Sequence, residues 1–320
     1  MPKSGLSPVP EAPPSEAGLI ARYGGAVPPR PGWAEAALSV EPVASTLTVA
    51  GARIEVLRWG EPGGKGLLLA HGNGAHARWW SFLAPLLAAE GRTVVAASFS
   101  GMGGSQWREA YTLDLFAEEL IAAAEAEGLF AQGRPPVFAG HSFGGFPVLA
   151  AARRLGKRLS GVMMLDSAIE PPGEMWDGPP RRTRPNAVYP TLEAALARFR
   201  LAPPQPCETD WAIDWIARAS LMRVDGPQGQ GWTWRFDPFL WNSFRMADPT
   251  PLLVGLEARL CVMRGELSAL AREGVMTHMR NLAGPQTVWV SVPEARHHLM
   301  LDQPLATLAA LRAVLAAWDG

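Results

Sequence analysis

The chain has 320 residues, 48% of them hydrophobic and 18% charged, with a formal net charge of −1. That balance predicts a compact globular protein with a large core, not a disordered chain. It excludes several classes: no basic block is present to grip a phosphate backbone, and the apolar runs fall short of the roughly 18 residues a membrane span needs.

Cationic residues are nearly all arginine, with lysine only at Lys3, Lys65 and Lys157. Cys207 and Cys261 are too few for a disulfide framework, and no Cys/His cluster has metal-ligand spacing. Neither a metal nor a cofactor is therefore expected, and neither is a nucleic-acid or membrane partner. Pro8, Pro10, Pro13 and Pro14 stand where the apolar core of a secretory leader would lie, so a cytoplasmic location is expected.

Residues 1–40, rich in Pro, Gly and Ala, read as an extended or poorly ordered arm. Thr46-Leu47-Thr48-Val49 and Arg53 to Arg58 alternate in polarity around Ala50-Gly51-Ala52, the pattern of an antiparallel hairpin. Continuous apolar runs follow at Gly66 to Ala70, Thr93 to Ala97, Val137 to Ala139 and Gly161 to Leu165. Runs of that kind suit strands of a parallel sheet buried on both faces. Helical patterns separate them at Trp79 to Ala89, Leu113 to Ala126 and Gly145 to Arg154.

The alternation breaks between Ile169 and Pro251, a stretch dense in Pro, Arg and Trp. It resumes at Leu260 to Met263, at Thr287 to Val292 and in a last helix from Leu305 to Trp318. The expectation is a doubly wound α/β fold on a mostly parallel eight-stranded sheet. The core would comprise residues 41–168 and 251–320, interrupted by an inserted, mainly helical cap at 169–250.

The most telling motif is Gly140-His141-Ser142-Phe143-Gly144-Gly145, set between a strand and a helix. A turn of this kind strains the serine backbone, lifts its hydroxyl clear of the sheet and aims the next N–H, that of Phe143, at an incoming oxyanion. A serine hydroxyl needs a base. The histidine pair His297-His298 follows the last strand, late in the chain, and supplies the candidates.

The acid that orients the base belongs at the carboxyl end of a strand. Asp166 follows Gly161 to Leu165 and is preferred; Glu266, in Met263-Arg264-Gly265-Glu266, is the alternative. His71-Gly72-Asn73-Gly74, after the strand Leu67 to Ala70, offers the backbone N–H of Asn73 as a second oxyanion donor, with His71 itself structural. Ser100-Gly101-Met102-Gly103-Gly104-Ser105 lacks a phosphate-binding lysine and reads as a tight turn behind the active site.

These residues resemble the α/β-hydrolase superfamily across about 45–320. The resemblance implies Ser142 as nucleophile, Asn73 and Phe143 as oxyanion hole, and His297 as base, since it stands seven residues before Pro304 (304 − 297) as in that family. Many relatives carry an aspartate where this chain has Ser268 and Ala269; some use an acid after the sixth strand instead, which favours Asp166. Arg296 also replaces the glycine that often precedes the histidine.

The implied activity is hydrolysis of a small-molecule carboxylic ester or lactone through an acyl-serine. Carbon–carbon bond hydrolysis and cofactor-free perhydrolysis are alternatives on the same scaffold, and a non-catalytic ligand-binding homologue is the more remote one. The cap's aromatics, Trp176, Trp211, Trp215, Trp232, Trp234, Trp241, Phe236, Phe239 and Phe244, are expected mostly to form its own core. Arg181, Arg182 and Arg184 read as a solvated loop in preference to a substrate-carboxylate contact.

Overall fold

The computed structural model describes residues 18–174, 181–226 and 229–319. Eight strands form one sheet: β1 (Val43–Val49), β2 (Ala52–Trp59), β3 (Lys65–Ala70), β4 (Arg92–Ala97), β5 (Val137–His141), β6 (Gly161–Leu165), β9 (Arg259–Gly265) and β10 (Val288–Val292). A separate antiparallel pair, β7 (Leu221–Gly226) and β8 (Gly229–Trp234), lies between β6 and β9 in the chain.

The sheet order is β1-β2-β4-β3-β5-β6-β9-β10. β1 and β2 run antiparallel to each other, and β2 to β4; the other pairings are parallel. Alternation decides which strands tolerate solvent. β1 is exposed or half-exposed along most of its length, while every residue of β4, β5 and β6 is buried. Their uninterrupted apolar sequence is what burial on both faces demands. Helices Leu113–Ala126 and Gly145–Leu155 pack on one another over one face, and the helix Pro304–Asp319 lies against β10 on the other side of the core.

The parallel arrangement puts the carboxyl ends of β3, β5, β6, β9 and β10 along one edge. In open α/β sheets ligands bind at that edge, because the loops leaving it are free to vary around a rigid scaffold. Ser142, Asp166, the turn at Asn73 and the loop holding His297 all leave strands there.

Several sequence expectations change. Residues 18–40 are not an extended arm: they hold a 3-10 turn at Ala21–Tyr23 and a helix Gly32–Leu38, with Ile20, Ala34 and Leu38 in the core. The segment is tied to the insertion. Tyr23 Oη donates to Asp210 at 2.7 Å, Arg22 pairs with the same carboxylate, and Trp33 meets Trp211 edge-on at 5.4 Å. Residues 1–17 of the expected arm lie outside the described residues.

The expected helix Trp79 to Ala89 is instead a 3-10 turn at Ala77–Trp80 and a short helix Ala84–Ala88, which starts where Pro85 fits a first turn. The insertion carries the β7–β8 hairpin beside its helices Leu192–Leu196, Asp210–Ala219 and Leu240–Ser243. No helix among the described residues is long and apolar enough to cross a membrane.

Candidate functional site

Ser142 ends β5 and begins a 3-10 turn leading into the helix Gly145–Leu155. Its φ is 53°, in the left-handed region that residues with side chains rarely occupy. The glycines around it are required by space. A Cβ at Gly140 would fall 2.3 Å from the Gly144 carbonyl oxygen, and one at Gly144 would fall 2.4 Å from the His71 carbonyl oxygen. Asp166, just past β6, is also left-handed at φ 50°. Glu294, in the turn after β10, is left-handed too at φ 56°, so three residues at this sheet edge hold strain of about 1–3 kcal/mol each.

A chain of hydrogen bonds joins three side chains. Ser142 Oγ lies 2.9 Å from His297 Nε2, and His297 Nδ1 lies 2.7 Å from Asp166 Oδ2. Asp166 is fixed in turn: Oδ1 accepts from the Gly265 N–H at 2.9 Å, and Oδ2 accepts from Ser268 Oγ at 2.6 Å. Glu266 goes elsewhere. It is exposed, and its Oε2 accepts from the Glu294 N–H at 3.0 Å, closing the turn after β10. Of the two acids open in the sequence, Asp166 is the one brought to the imidazole.

Ser268, in the loop after the neighbouring strand β9, donates to Asp166. Removing that donor leaves one lone pair of a buried carboxylate unsatisfied. Ser268→Ala is expected to lower kcat about tenfold, about 1.4 kcal/mol of barrier, with little change in KM. Steady-state kinetics on the folded variant check this; an unchanged kcat would contradict it.

The turn after β3 comes close to Ser142: a Cβ at Gly72 would lie 3.2 Å from Ser142 Cβ. Asn73 therefore sits beside the serine, opposite Phe143. Trp241, from the insertion, contacts both. Its Nε1 donates to Asn73 Oδ1 at 2.8 Å, and its ring meets that of Phe143 edge-on at 5.2 Å. Sequence reading placed Trp241 among nine aromatics without singling it out; nothing local distinguishes it. Trp176 lies outside the described residues.

Other supports were also missed. Ser167 Oγ donates to the Ser142 carbonyl at 2.7 Å, bracing the turn from β6. Asp302 Oδ2 accepts from the Arg296 N–H at 2.7 Å, and Gln205 Oε1 accepts from the His298 N–H at 3.1 Å. Gln205 Nε2 donates back to Asp302, so a residue of the insertion and one of the last turn clamp the histidine loop together. His141 Nε2 donates to the His297 carbonyl at 2.9 Å, which sets its tautomer. The structural reading of His71 fits its bonds: Nε2 accepts from the Phe99 N–H at 3.0 Å, so Nδ1 donates to the Gly72 carbonyl at 2.8 Å.

Burial keeps four imidazoles neutral, lowering His71, His141 and His76, whose Nε2 meets Ser220 Oγ at 2.9 Å, to about 3 and His298 well below its ordinary value. The unfolded chain would titrate each near 6.5, so between pH 6.5 and about 3 it binds protons that the folded state refuses. Stability must fall as pH drops through that window. Each such histidine is expected to cost about 2 kcal/mol at pH 5 relative to pH 7, partly offset by Glu119 and Asp302, whose burial raises them and which gain stability on protonation. A melting temperature that holds steady or rises from pH 7 to pH 5 would contradict this.

A cavity of about 570 Å³ adjoins the site, lined by Asn73 and Trp79 at the sheet edge and by Trp234, Phe236, Leu240 and Trp241 from the insertion. Ser142, half-buried, and His297 are not in its wall, so Asn73 marks where site and cavity meet. Gly101 and Met102 also line it, placing the Ser100 to Ser105 turn at the side of the cavity.

The sequence matches the profile described as Alpha/beta hydrolase family over residues 67–311. It is 30% identical over 116 residues to lipase LipV of Mycobacterium tuberculosis, a match covering 36% of this chain and 42% of that protein. The chain thus matches less than half the length of that curated relative. Its fold is similar to the thioesterase domain from the curacin biosynthetic pathway, with TM-score 0.69 and 19% identity, over 85% of this chain and 99% of that one. It is also similar to an esterase of Mycobacterium tuberculosis, with TM-score 0.66 and 21% identity, over 89% and 96% of the two chains. A hypothetical protein of Pseudomonas aeruginosa PAO1 aligns at TM-score 0.70 and 24% identity, over 88% of this chain and all of the other.

Proposed function

Since the chain belongs to the alpha/beta hydrolase family, we propose that it is a serine hydrolase that cleaves carboxylic esters, lactones included, through an acyl-serine intermediate. The observation that carries this reading is the run of hydrogen bonds from Ser142 Oγ through His297 to Asp166, 2.9 and 2.7 Å long. The names of two similar proteins, a lipase and an esterase, favour an ester over other acyl compounds.

In this reading His297 Nε2 takes the Ser142 proton as Oγ attacks the ester carbonyl carbon. The tetrahedral oxyanion is met by the N–H groups of Asn73 and Phe143. His297 then gives its proton to the departing alcohol, leaving the acyl-serine. Water enters and loses a proton to His297 as it attacks. Collapse of the second tetrahedral species frees the carboxylic acid and returns the proton to Ser142. Asp166 holds the imidazole in the Nδ1–H tautomer and stabilises the imidazolium throughout.

Residues 169–250 act as the cap, with residues 41–168 and 251–320 as the core, and Trp241 couples the cap to both oxyanion donors. The test is a panel of p-nitrophenyl esters, γ-lactones and a vinylogous 1,5-diketone. Turnover of esters with a burst of p-nitrophenolate is expected. Cleavage of the diketone with none of the esters would instead assign a carbon–carbon bond hydrolase.

A further inference from the structure

The N–H groups of Asn73 and Phe143 can meet an oxyanion only where both backbones are held still, and the two residues are held differently. Phe143 is buried, with the rings of Phe99, Phe116 and Phe244 around its own at 6.2, 5.6 and 5.5 Å. Asn73 is half-buried and stands between two glycines, the second of them left-handed at φ 67°. Glycine on both sides leaves the backbone there with the most freedom to lose. Among the described residues, the Asn73 side chain makes one hydrogen bond, to the indole of Trp241. Indole Nε1 can only donate, so the carboxamide is fixed with Oδ1 toward the tryptophan.

Trp241 in turn sits between two points where the insertion is fastened to the core. On one side the Asp237 N–H donates to the Gly101 carbonyl at 2.7 Å, and Asp237 Oδ2 accepts from Tyr111 Oη at 2.7 Å. Asp237 Oδ1 accepts from the Phe239 N–H at 2.8 Å and so starts the chain toward the short helix Leu240–Ser243. On the other side Phe244 is buried, its ring 5.9 Å from that of Phe116 and 5.0 Å from that of Trp241. The indole is therefore a fixed donor, and it holds a turn that its own sequence leaves loose.

We infer that Trp241 is a positioning residue for the oxyanion hole: its Nε1–H holds the Asn73 carboxamide, and with it the Asn73 N–H, where the developing oxyanion needs a donor. The inference rests on the serine-hydrolase reading above and deepens it, because it gives the insertion a part in the rate of the chemical steps. A donor fixed in advance costs no reorganisation as charge develops, and it acts on the transition state more than on the bound ester. The effect therefore falls on kcat.

Trp241→Phe keeps a ring against Phe143 and removes the donor. With p-nitrophenyl butyrate its kcat is expected to fall about tenfold, a part of the 10²–10³ that loss of a whole oxyanion donor costs, with KM within about twofold of the parent. The Ki of a trifluoromethyl ketone, whose adduct at Ser142 carries the oxyanion, should rise about tenfold. That of the p-nitroanilide of butyric acid, bound without addition, should not move. Asn73→Ala removes the other end of the bond and should lose a similar factor. The double variant should lose about tenfold and not about a hundredfold, since both changes break one contact. If Trp241→Phe fails to fold, benzothienylalanine at position 241, which has the shape of the indole without its N–H, gives the same comparison. An unchanged kcat, or a loss confined to KM, overturns the inference and leaves the hydrolase reading standing. Multiplying losses in the double variant overturn the route through Asn73. Failure of the parent protein to turn over the ester, with no acylation of Ser142, removes the hydrolase reading and the inference with it.

Discussion

Ser142→Ala is expected to abolish ester turnover, lowering kcat by about 10⁶-fold, while leaving melting temperature and circular dichroism close to those of the parent protein. The magnitude follows from what removal of a triad serine costs in a serine hydrolase: what remains is binding and the oxyanion donors, worth about 10³–10⁴ over water. Preservation of the fold follows from the position. Ser142 is half-buried, and the interaction its side chain makes is with His297. Its backbone is held by the Ser167 hydroxyl and by the close packing of Gly140 and Gly144, none of which the substitution touches. Alanine in a left-handed conformation carries about the same strain as serine, so the substitution adds none and the turn should survive. Stopped-flow release of p-nitrophenolate measures the loss, and a variant retaining a tenth of the activity would contradict the role given to Ser142.

Asp166→Asn is expected to cost about 10⁴-fold in kcat, while Glu266→Gln stays near the parent value. Asparagine keeps the shape of the side chain: its oxygen can still accept from the Gly265 N–H, and its amide nitrogen, in the place of Oδ2, can donate to Ser268 Oγ. Its amide nitrogen, however, favours the His297 tautomer in which Nδ1 is the acceptor, and then Nε2 carries the proton and cannot receive one from Ser142. The loss should fall on kcat with KM little changed, because the substrate never touches this residue. Glu266 is exposed and closes a turn through the Glu294 amide, so its neutral isostere removes a surface contact and no part of the relay. Steady-state kinetics of the two variants measure the contrast, and the opposite ranking would move the acid role to Glu266 at the end of β9.

Much of this arrangement was legible because its signals are local. The strand, Gly140-x-Ser142-x-Gly144 and helix are contiguous, and steric demands at Gly140 and Gly144 are met within a few residues or by the adjacent turn at His71. The central strands announce themselves through unbroken apolar runs. The acid was narrower than a guess and wider than an answer: Asp166 and Glu266 both follow strands whose ends are neighbours in the sheet, so position along the chain admits either. What separates them is the direction each side chain takes, and that is set by the left-handed backbone at Asp166 and by donors from Gly265 and Ser268.

The features that escaped are non-local. Trp241 reaches Asn73 across 168 positions, and Gln205 reaches Asp302 across 97. Neither contact has a period or a spacing to betray it. Residues 18–40 look unstructured in composition, yet Ile20, Ala34 and Leu38 are buried with core residues from elsewhere in the chain. Tertiary packing there overrides a weak local pattern.

The most direct measurement is the intact mass of the protein mixed with a fluorophosphonate or rapidly quenched from a slowly deacylating ester, followed by peptide mapping. One adduct, on the peptide carrying Ser142 and absent from Ser142→Ala, is the expected result. An unmodified protein that nevertheless turns the ester over, or an adduct on another residue, would contradict it.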